Sequence, residues 1–251
     1  MSIGELETYE LKTLAGNNIL ALAANPYPGR GIVAGLDESG RYMIQVYWIM
    51  GRSPNSRNRV FGADDNGRLF TEAADPSKVD DPSLIIYNAM LESGLYYVVS
   101  NGDQTDTVIS ALGPNVFSLD LALRGREYEP DKPNFTPRIT AISSIAKGRI
   151  ALFMSVLRRS PFREGCDRST YELSPAPGFG YCIMTYAGDG FPLPPFLGDP
   201  VLMPLVGGIE EIANDYWAAL NEENRVSLAV KSIQISSGHS SIHIINKYTQ
   251  V

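Results

Sequence analysis

The stretch "RYMIQVYWIM", Arg41 to Met50, is dense in aromatic and β-branched side chains, which suit a pleated surface. Laid out as a strand, Met43, Gln45, Tyr47 and Ile49 share one face, and Tyr42, Ile44, Val46, Trp48 and Met50 share the other, because successive side chains alternate. Both faces are then largely apolar, so the pattern predicts a strand covered on both sides. Just upstream, "GIVAGL" runs into "LDESG", whose Asp, Ser and Gly favour a tight turn; the two segments read as a hairpin.

Working outward, the same criteria predict strands over "YYVVSNG", "RITAISSI", "RIALFMSVL" and "GFGYCIMTYAG", and a closing hairpin of "SIQISSG" and "SIHIINKY" about Gly238. Helices are expected in three places. "DDPSLIIYNAMLESG", Asp80 to Gly94, has aspartates as caps, Pro82 in the first turn and a terminal glycine. "GGIEEIANDYWAAL" spaces Ile209, Ile212, Ala213, Tyr216 and Leu220 at helical intervals, with Glu210 and Glu211 complementing the dipole. "VFSLDLALRGREYE" runs until the prolines of "EPDKPNFTP" stop it. At the N-terminus "LKTLAGNNILALAA" reads as a helix or an edge strand, while "SPAPGFG" and "AGDGFPLPPFLGDP" read as a long surface loop around a strand. The fold class is α+β, with helices packed outside an antiparallel sheet or a pair of sheets.

Composition limits the partners. With 251 residues and 44% hydrophobic content the chain can bury a full core, and we expect one domain over residues 1–251. A net charge of -7 argues against nucleic acid, which demands a broad basic surface. Glutamates stand where a secretory signal needs basic residues, and no segment reaches membrane-spanning length. Cys166 and Cys182 are too few for a disulfide framework and suit a reducing cytoplasm, where we expect the protein.

The usual catalytic signatures are absent from the sequence. His239 and His243 have no metal-ligand partner at suitable spacing, "GLDESG" lacks the length and lysine of a phosphate loop, and there is no G-x-S-x-G elbow. Three polar clusters remain. "GRSPNSRNRVF", Gly51 to Phe61, places Arg52, Arg57 and Arg59 close together, a set suited to a compact anion or to surface ion pairs. "SNGDQTDT", Ser100 to Thr107, follows an apolar strand and reads either as a satisfied turn or as a binding loop. "EYEPDKPNFTPRI", Glu127 to Ile139, is a rigid catalytic loop or a simple helix exit.

Taken in order, "YPGRGIVAG", "GRSPNSRNRVF", "DPSLIIYNAM", "VVSNGDQTDT" and "EYEPDKPNFTPRI" resemble the archaeal-type inosine monophosphate cyclohydrolase family over residues 27–142. The most specific pieces are "SNG" with "TDT" two residues on, and "TPRI". The segment before Tyr27 looks added, and beyond Ile142 the chain exceeds the shorter archaeal pattern. The resemblance implies a four-layer αββα sandwich like that of N-terminal nucleophile hydrolases, without the N-terminal nucleophile. It implies an enzyme of de novo purine biosynthesis that closes 5-formamidoimidazole-4-carboxamide ribonucleotide to inosine monophosphate, releasing water, with no cofactor and no metal. Carried over block by block, Arg57 would polarise the carboxamide or the oxyanion, the longer arginine block leaving open whether Arg57 or Arg59 holds that place, Tyr87 would donate a proton and Glu129 would accept one. Arg30, Arg52, Asn58, Arg59, Asn101, Asp103, Thr105, Asp106 and Arg138 would bind the purine ribonucleotide, and we expect a homo-oligomer. Two rival readings are an amidohydrolase of the N-terminal nucleophile type and a nucleotide-sensing module without turnover.

Overall fold

The computed structural model describes residues 3–79, 85–113, 117–146 and 149–249. A long helix α1 (Ile3–Ala24) opens the chain, resolving the helix-or-strand alternative at the N-terminus. Strands β1 (Gly31–Leu36) and β2 (Tyr42–Met50) form the expected hairpin, with Gly31 opposite Trp48 and Leu36 opposite Met43. A short helix α2 (Pro54–Arg57) follows, then β3 (Val60–Ala63), β4 (Leu69–Glu72), β5 (Asn88–Ser93) and β6 (Tyr96–Ser100). Helices α3 (Gln104–Ser110) and α4 (Leu119–Ala122) precede the long pair β7 (Arg138–Ala146) and β8 (Arg149–Arg159). Next come β9 (Cys166–Leu173), β10 (Phe179–Met184), β11 (Val201–Pro204) and α5 (Ile209–Ala219), and β12 (Arg225–Gln234) and β13 (Ser240–Asn246) close the chain.

The strands make two sheets, ordered β11-β10-β1-β2-β12-β13 and β3-β4-β5-β6-β7-β8-β9. Every named pairing is antiparallel. β2 accounts for the layering. Its Ile44, Val46, Trp48 and Met50 pack with Leu22 of α1 and with Ile212, Ala213 and Tyr216 of α5. Its Tyr47 and Ile49 point the other way, into a core shared with Ala89, Met90, Val99, Ile139, Ala141 and Met154 of the second sheet. That sheet turns Val98, Ile142 and Leu157 outward onto Val108 of α3 and Leu119 of α4. One alternating strand, apolar on both faces, thus fixes a helix layer on one side and a second sheet on the other.

Burial between the sheets is not wholly apolar. Lys231 of β12, directly opposite Gln45 of β2, is fully buried and places Nζ 2.6 Å from Glu92 Oε2 and 2.7 Å from the Gly67 carbonyl. Burial dominates and lowers its pKa, with Glu92 opposing.

Two of the expected helices require correction. Of the segment Asp80–Gly94, residues 80–84 lie outside the described residues, and Asn88–Ser93 is a strand, with Met90 opposite Val99. Gly94, read as a helix stop, is the turn of this β5–β6 hairpin, at φ +58°. An apolar run this short fits either period, and the free edges of β4 and β6 decide it. The helix over residues 116–129 is reduced to Leu119–Ala122, capped by Ser118. Past it, the chain turns, the Leu123 carbonyl accepting both the Arg126 N–H and the Arg168 guanidinium of β9, which also donates to the Arg126 carbonyl. "SNGDQTDT" is a loop only as far as Asp103; its second half begins α3. α5 and the closing hairpin form as expected, although β12 begins earlier, at Arg225.

Candidate active site

At one end of both sheets, β1 begins, β2, β6 and β10 finish, and β7 sets out; the chain segments leaving these strands enclose a cleft of about 340 Å³. It is lined by Tyr27, Arg30, Arg52, Ser53, Arg59, Glu129, Asp131, Asn134, Thr136 and Tyr186, among others. Access of the chain to this corner depends on Gly29, at φ +73°, where an added Cβ would lie 2.2 Å from Thr185 Oγ1. That same hydroxyl accepts the Arg30 backbone N–H at 3.0 Å.

Arg30 is the buried centre of the cleft. It donates to Glu129 Oε2 at 2.7 Å and to the Asn101 carbonyl at 2.8 Å. Burial disfavours its charge, yet the neighbouring Glu129 carboxylate and the Tyr87 hydroxyl hold its proton more tightly than in an ordinary arginine. Glu129 is itself buried, and its backbone N–H bonds to the Thr136 carbonyl at 2.9 Å across the base of the loop.

The arginines of "GRSPNSRNRVF" separate. Gly51 and α2, closed by the reciprocal Ser53–Ser56 capping bonds, turn the chain so that Arg59 faces inward. Its Nε donates to the Ser56 carbonyl at 2.9 Å and its Nη2 to the Met50 carbonyl at 3.3 Å. Among the described residues no carboxylate lies within ion-pair distance of it, although the side chain is buried. Arg52 lines the rim, paired with Asp189 and lying 4.8 Å over the Tyr27 ring. Arg57 turns away from the cleft; it bonds the Gly51 carbonyl at 3.0 Å, Asn224 at 3.3 Å and Glu223 at 3.5 Å.

Two tyrosines complete the wall, and a third lies beside it. Tyr27 and Tyr186 stack with ring centroids 6.0 Å apart. Burial raises the Tyr27 pKa, opposed by Arg59, Arg30 and Arg52. Tyr87, placed just before β5, hydrogen-bonds hydroxyl to hydroxyl with Tyr47 at 2.6 Å. It lines a neighbouring hollow rather than the cleft itself. Burial first, and Tyr87 second, push the Tyr47 hydroxyl well above its ordinary pKa.

The remaining expected residues hold the scaffold. Asn58 exchanges bonds with the backbone of Asp75. Asn101 spends its side chain on the Pro137 carbonyl, the Ile139 N–H and Gln104. Thr105 bonds Ser100 and the Gly102 carbonyl. Asp103 and Asp106 face the neighbouring hollow: Asp103 bridges Arg126 at 2.7 Å and Arg138 at 2.8 Å, and Asp106 accepts from Asn88. Among the cleft residues that sequence reasoning missed are Tyr27, Asp131, Thr136 and Tyr186. The first three sit inside quoted blocks and could have been found there; Tyr186 arrives from β10 with no local signal.

Burial raises the Asp103 carboxyl, but the Arg126 hydrogen bond and the charges of Arg138 and Arg126 outweigh it, leaving the pKa below 3.8. The folded state therefore binds fewer protons than the unfolded one just below that value. Its stabilisation is present above about pH 4 and lost as the pH falls through the folded pKa. With the Asp103 side chain 49% exposed, screening holds the effect to about 1 kcal/mol or less. Asp103→Asn is expected to be less stable than wild type at pH 7, with the gap closing towards pH 3 in urea unfolding; an equal gap at both would contradict the assignment.

Among the described residues no cluster of His, Cys, Asp and Glu is placed to hold a metal ion, and no helix is long and apolar enough to cross a membrane.

Fold and cleft together define an α+β protein of mostly antiparallel sheets whose strand ends enclose buried arginines, a glutamate and tyrosines. A family model described as IMP cyclohydrolase-like protein matches residues 27–238, a span that contains every cleft residue named above. The chain belongs to the IMP cyclohydrolase-like family. A relative from Methanothrix thermoacetophila, named IMP cyclohydrolase, is 34% identical over 122 residues, covering 47% of this chain and 58% of that relative. The chain thus matches little more than half of that relative's length. The family match also extends past Ile142, where the sequence resemblance fades, and so takes in β8 to β12.

Proposed function

We propose that the chain is a single-domain IMP cyclohydrolase that converts 5-formamidoimidazole-4-carboxamide ribonucleotide to inosine monophosphate and water. The observation that carries this reading is Arg59, a buried cation without a carboxylate partner among the described residues, in the same cleft as the Arg30–Glu129 pair. A buried charge is costly unless something pairs with it, and a 5′-phosphate is a fitting partner for a planar guanidinium.

In this reading Arg59 and Arg52 grip the phosphate, with Tyr27 beneath Arg52. Arg59, rather than Arg57, takes the anion-binding place in the block. The substrate's carboxamide nitrogen attacks its formyl carbon, forming the ring C–N bond. Holding the two groups together within one molecule supplies much of the acceleration. Arg30 retains N–H groups beyond those given to Glu129 and Asn101, and these stabilise the oxygen that becomes anionic. The Glu129 oxygen not bonded to Arg30 accepts the nitrogen-bound proton.

Tyr47 is fully buried and its hydroxyl has Tyr87 as its partner, so Tyr47 donates and the Tyr87 proton is left available. From the hollow beside the cleft, within electrostatic reach of Arg30, Tyr87 protonates the anionic oxygen to a hydroxyl. The proton held by Glu129 then passes to that hydroxyl, which leaves as water as the C=N bond forms, and the formamide N–H proton freed in that step restores Tyr87. No cofactor enters, because both bonds change within one molecule. Asn58, Asn101, Thr105, Asp103, Asp106 and Arg138 act by positioning. In this reading the sheets follow the N-terminal nucleophile hydrolase pattern without its chemistry: the cleft's Ser53, Ser56 and Thr136 lie within the chain and have no free amine to serve as base. We place the enzyme in the cytoplasm as a homo-oligomer.

Hydrogen–deuterium exchange with and without inosine monophosphate tests the location. Protection is expected around residues 27–31, 50–59 and 129–136. Protection confined to the hollow around Asp103 and Asp106 would move the site elsewhere.

A further inference from the structure

We infer that Tyr186 presents a hydrogen-bond acceptor to the cleft, its polarity fixed by Thr136 and Asp131, and that this acceptor selects ligands carrying an amide-type N–H. The inference rests on the purine ribonucleotide reading above. All three residues line the cleft. Asp131 Oδ1 accepts the Thr136 backbone N–H at 2.7 Å, Asp131 Oδ2 accepts the Thr136 hydroxyl, and the same hydroxyl oxygen contacts the Tyr186 hydroxyl.

A carboxylate only accepts, and a threonine hydroxyl has one proton to give. Thr136 therefore donates to Asp131, and its oxygen receives the proton of Tyr186. The Tyr186 proton is thereby committed inward, and its lone pairs are left for the cleft. Burial, outweighing Thr136 and Arg30, raises the Tyr186 pKa, so the group stays a phenol. Stacking on Tyr27 holds the ring, and the Tyr186 backbone N–H bonds the Pro28 carbonyl at 3.1 Å. The acceptor suits the substrate's carboxamide N–H and the ring N–H of the product, and it offers nothing to a ring nitrogen that lacks a proton. Tyr186 touches the ligand; Thr136 and Asp131 are positioning residues.

Asp131→Asn provides a reversal. The amide oxygen keeps the Thr136 N–H, while the amide NH₂ donates to the Thr136 hydroxyl. That hydroxyl then donates to Tyr186, whose proton turns towards the cleft. Every internal bond survives and only the polarity changes.

The test is calorimetric binding of inosine 5′-monophosphate, which has an N–H in its six-membered ring, against purine riboside 5′-monophosphate, which has none. Wild type is expected to favour the inosine nucleotide by about tenfold. Asp131→Asn and Tyr186→Phe should each bring that ratio close to one, while Thr136→Ser, which keeps the hydroxyl, retains it. The isosteric Asp131→Asn keeps the test decisive if Tyr186→Phe loosens the cleft. A ratio unchanged by Asp131→Asn overturns the inference alone; a wild-type protein that binds neither nucleotide overturns it together with the purine reading.

Discussion

Glu129→Gln is expected to lower kcat by about two to four orders of magnitude, the range contributed by a positioned general base. The change removes the proton acceptor but keeps the shape: the glutamine oxygen still accepts from Arg30, and the backbone bond to Thr136 is untouched. Because a buried charged pair becomes a charge–dipole pair, stability should also fall, by about 1–3 kcal/mol. Steady-state kinetics and thermal unfolding on the same preparation separate the two effects. A variant that turns over at the wild-type rate would remove Glu129 from the chemistry and leave it as the anchor of Arg30.

The second large effect falls on affinity. Arg59→Met should raise KM for the ribonucleotide by about ten- to a hundredfold, the worth of charged hydrogen bonds to a phosphate, with a smaller change in kcat. Arg57→Met is the matched control: it removes a cation two residues away whose partners are Gly51, Asn224 and Glu223, outside the cleft. Its KM should stay within about threefold of wild type, since a partly exposed ion pair contributes little. The reverse pattern, with Arg57 carrying the loss, would contradict the placing of Arg59 and return Arg57 to the substrate site.

The two arginines mark how far the sequence can be read. Strand β2 was legible because its two apolar faces are a property of consecutive residues, and α5 because its apolar spacing, first-turn glutamates and flanking glycines agree. Arg57 and Arg59 were not separable. Their directions depend on α2, a four-residue helix held by Ser53 and Ser56, and on where Asn224 and Glu223 arrive from the far end of the chain. Tyr87 was placed in a helix because the aspartate caps, Pro82 and Gly94 frame its segment as one; Thr71 of β4 binds its backbone N–H and carbonyl instead, and β6 pairs the residues that follow. Glu129 and Arg30 were found through the blocks that contain them, yet nothing local indicated that they pair across 99 positions. The acceptor chain through Asp131, Thr136 and Tyr186 joins β10 to a loop 50 residues earlier. Patterns of adjacent residues gave the layers, whereas the chemistry of the cleft comes from chain ends that only the sheet order brings together.

The most direct measurement is turnover. Purified protein is incubated with 5-formamidoimidazole-4-carboxamide ribonucleotide, and inosine monophosphate is followed by chromatography against a boiled control and the Glu129→Gln variant. Enzyme-dependent inosine monophosphate is expected from wild type, and at least a hundredfold less from the variant. No product above the boiled control, from folded protein that binds inosine monophosphate, would contradict the cyclohydrolase reading and leave a binding module in its place.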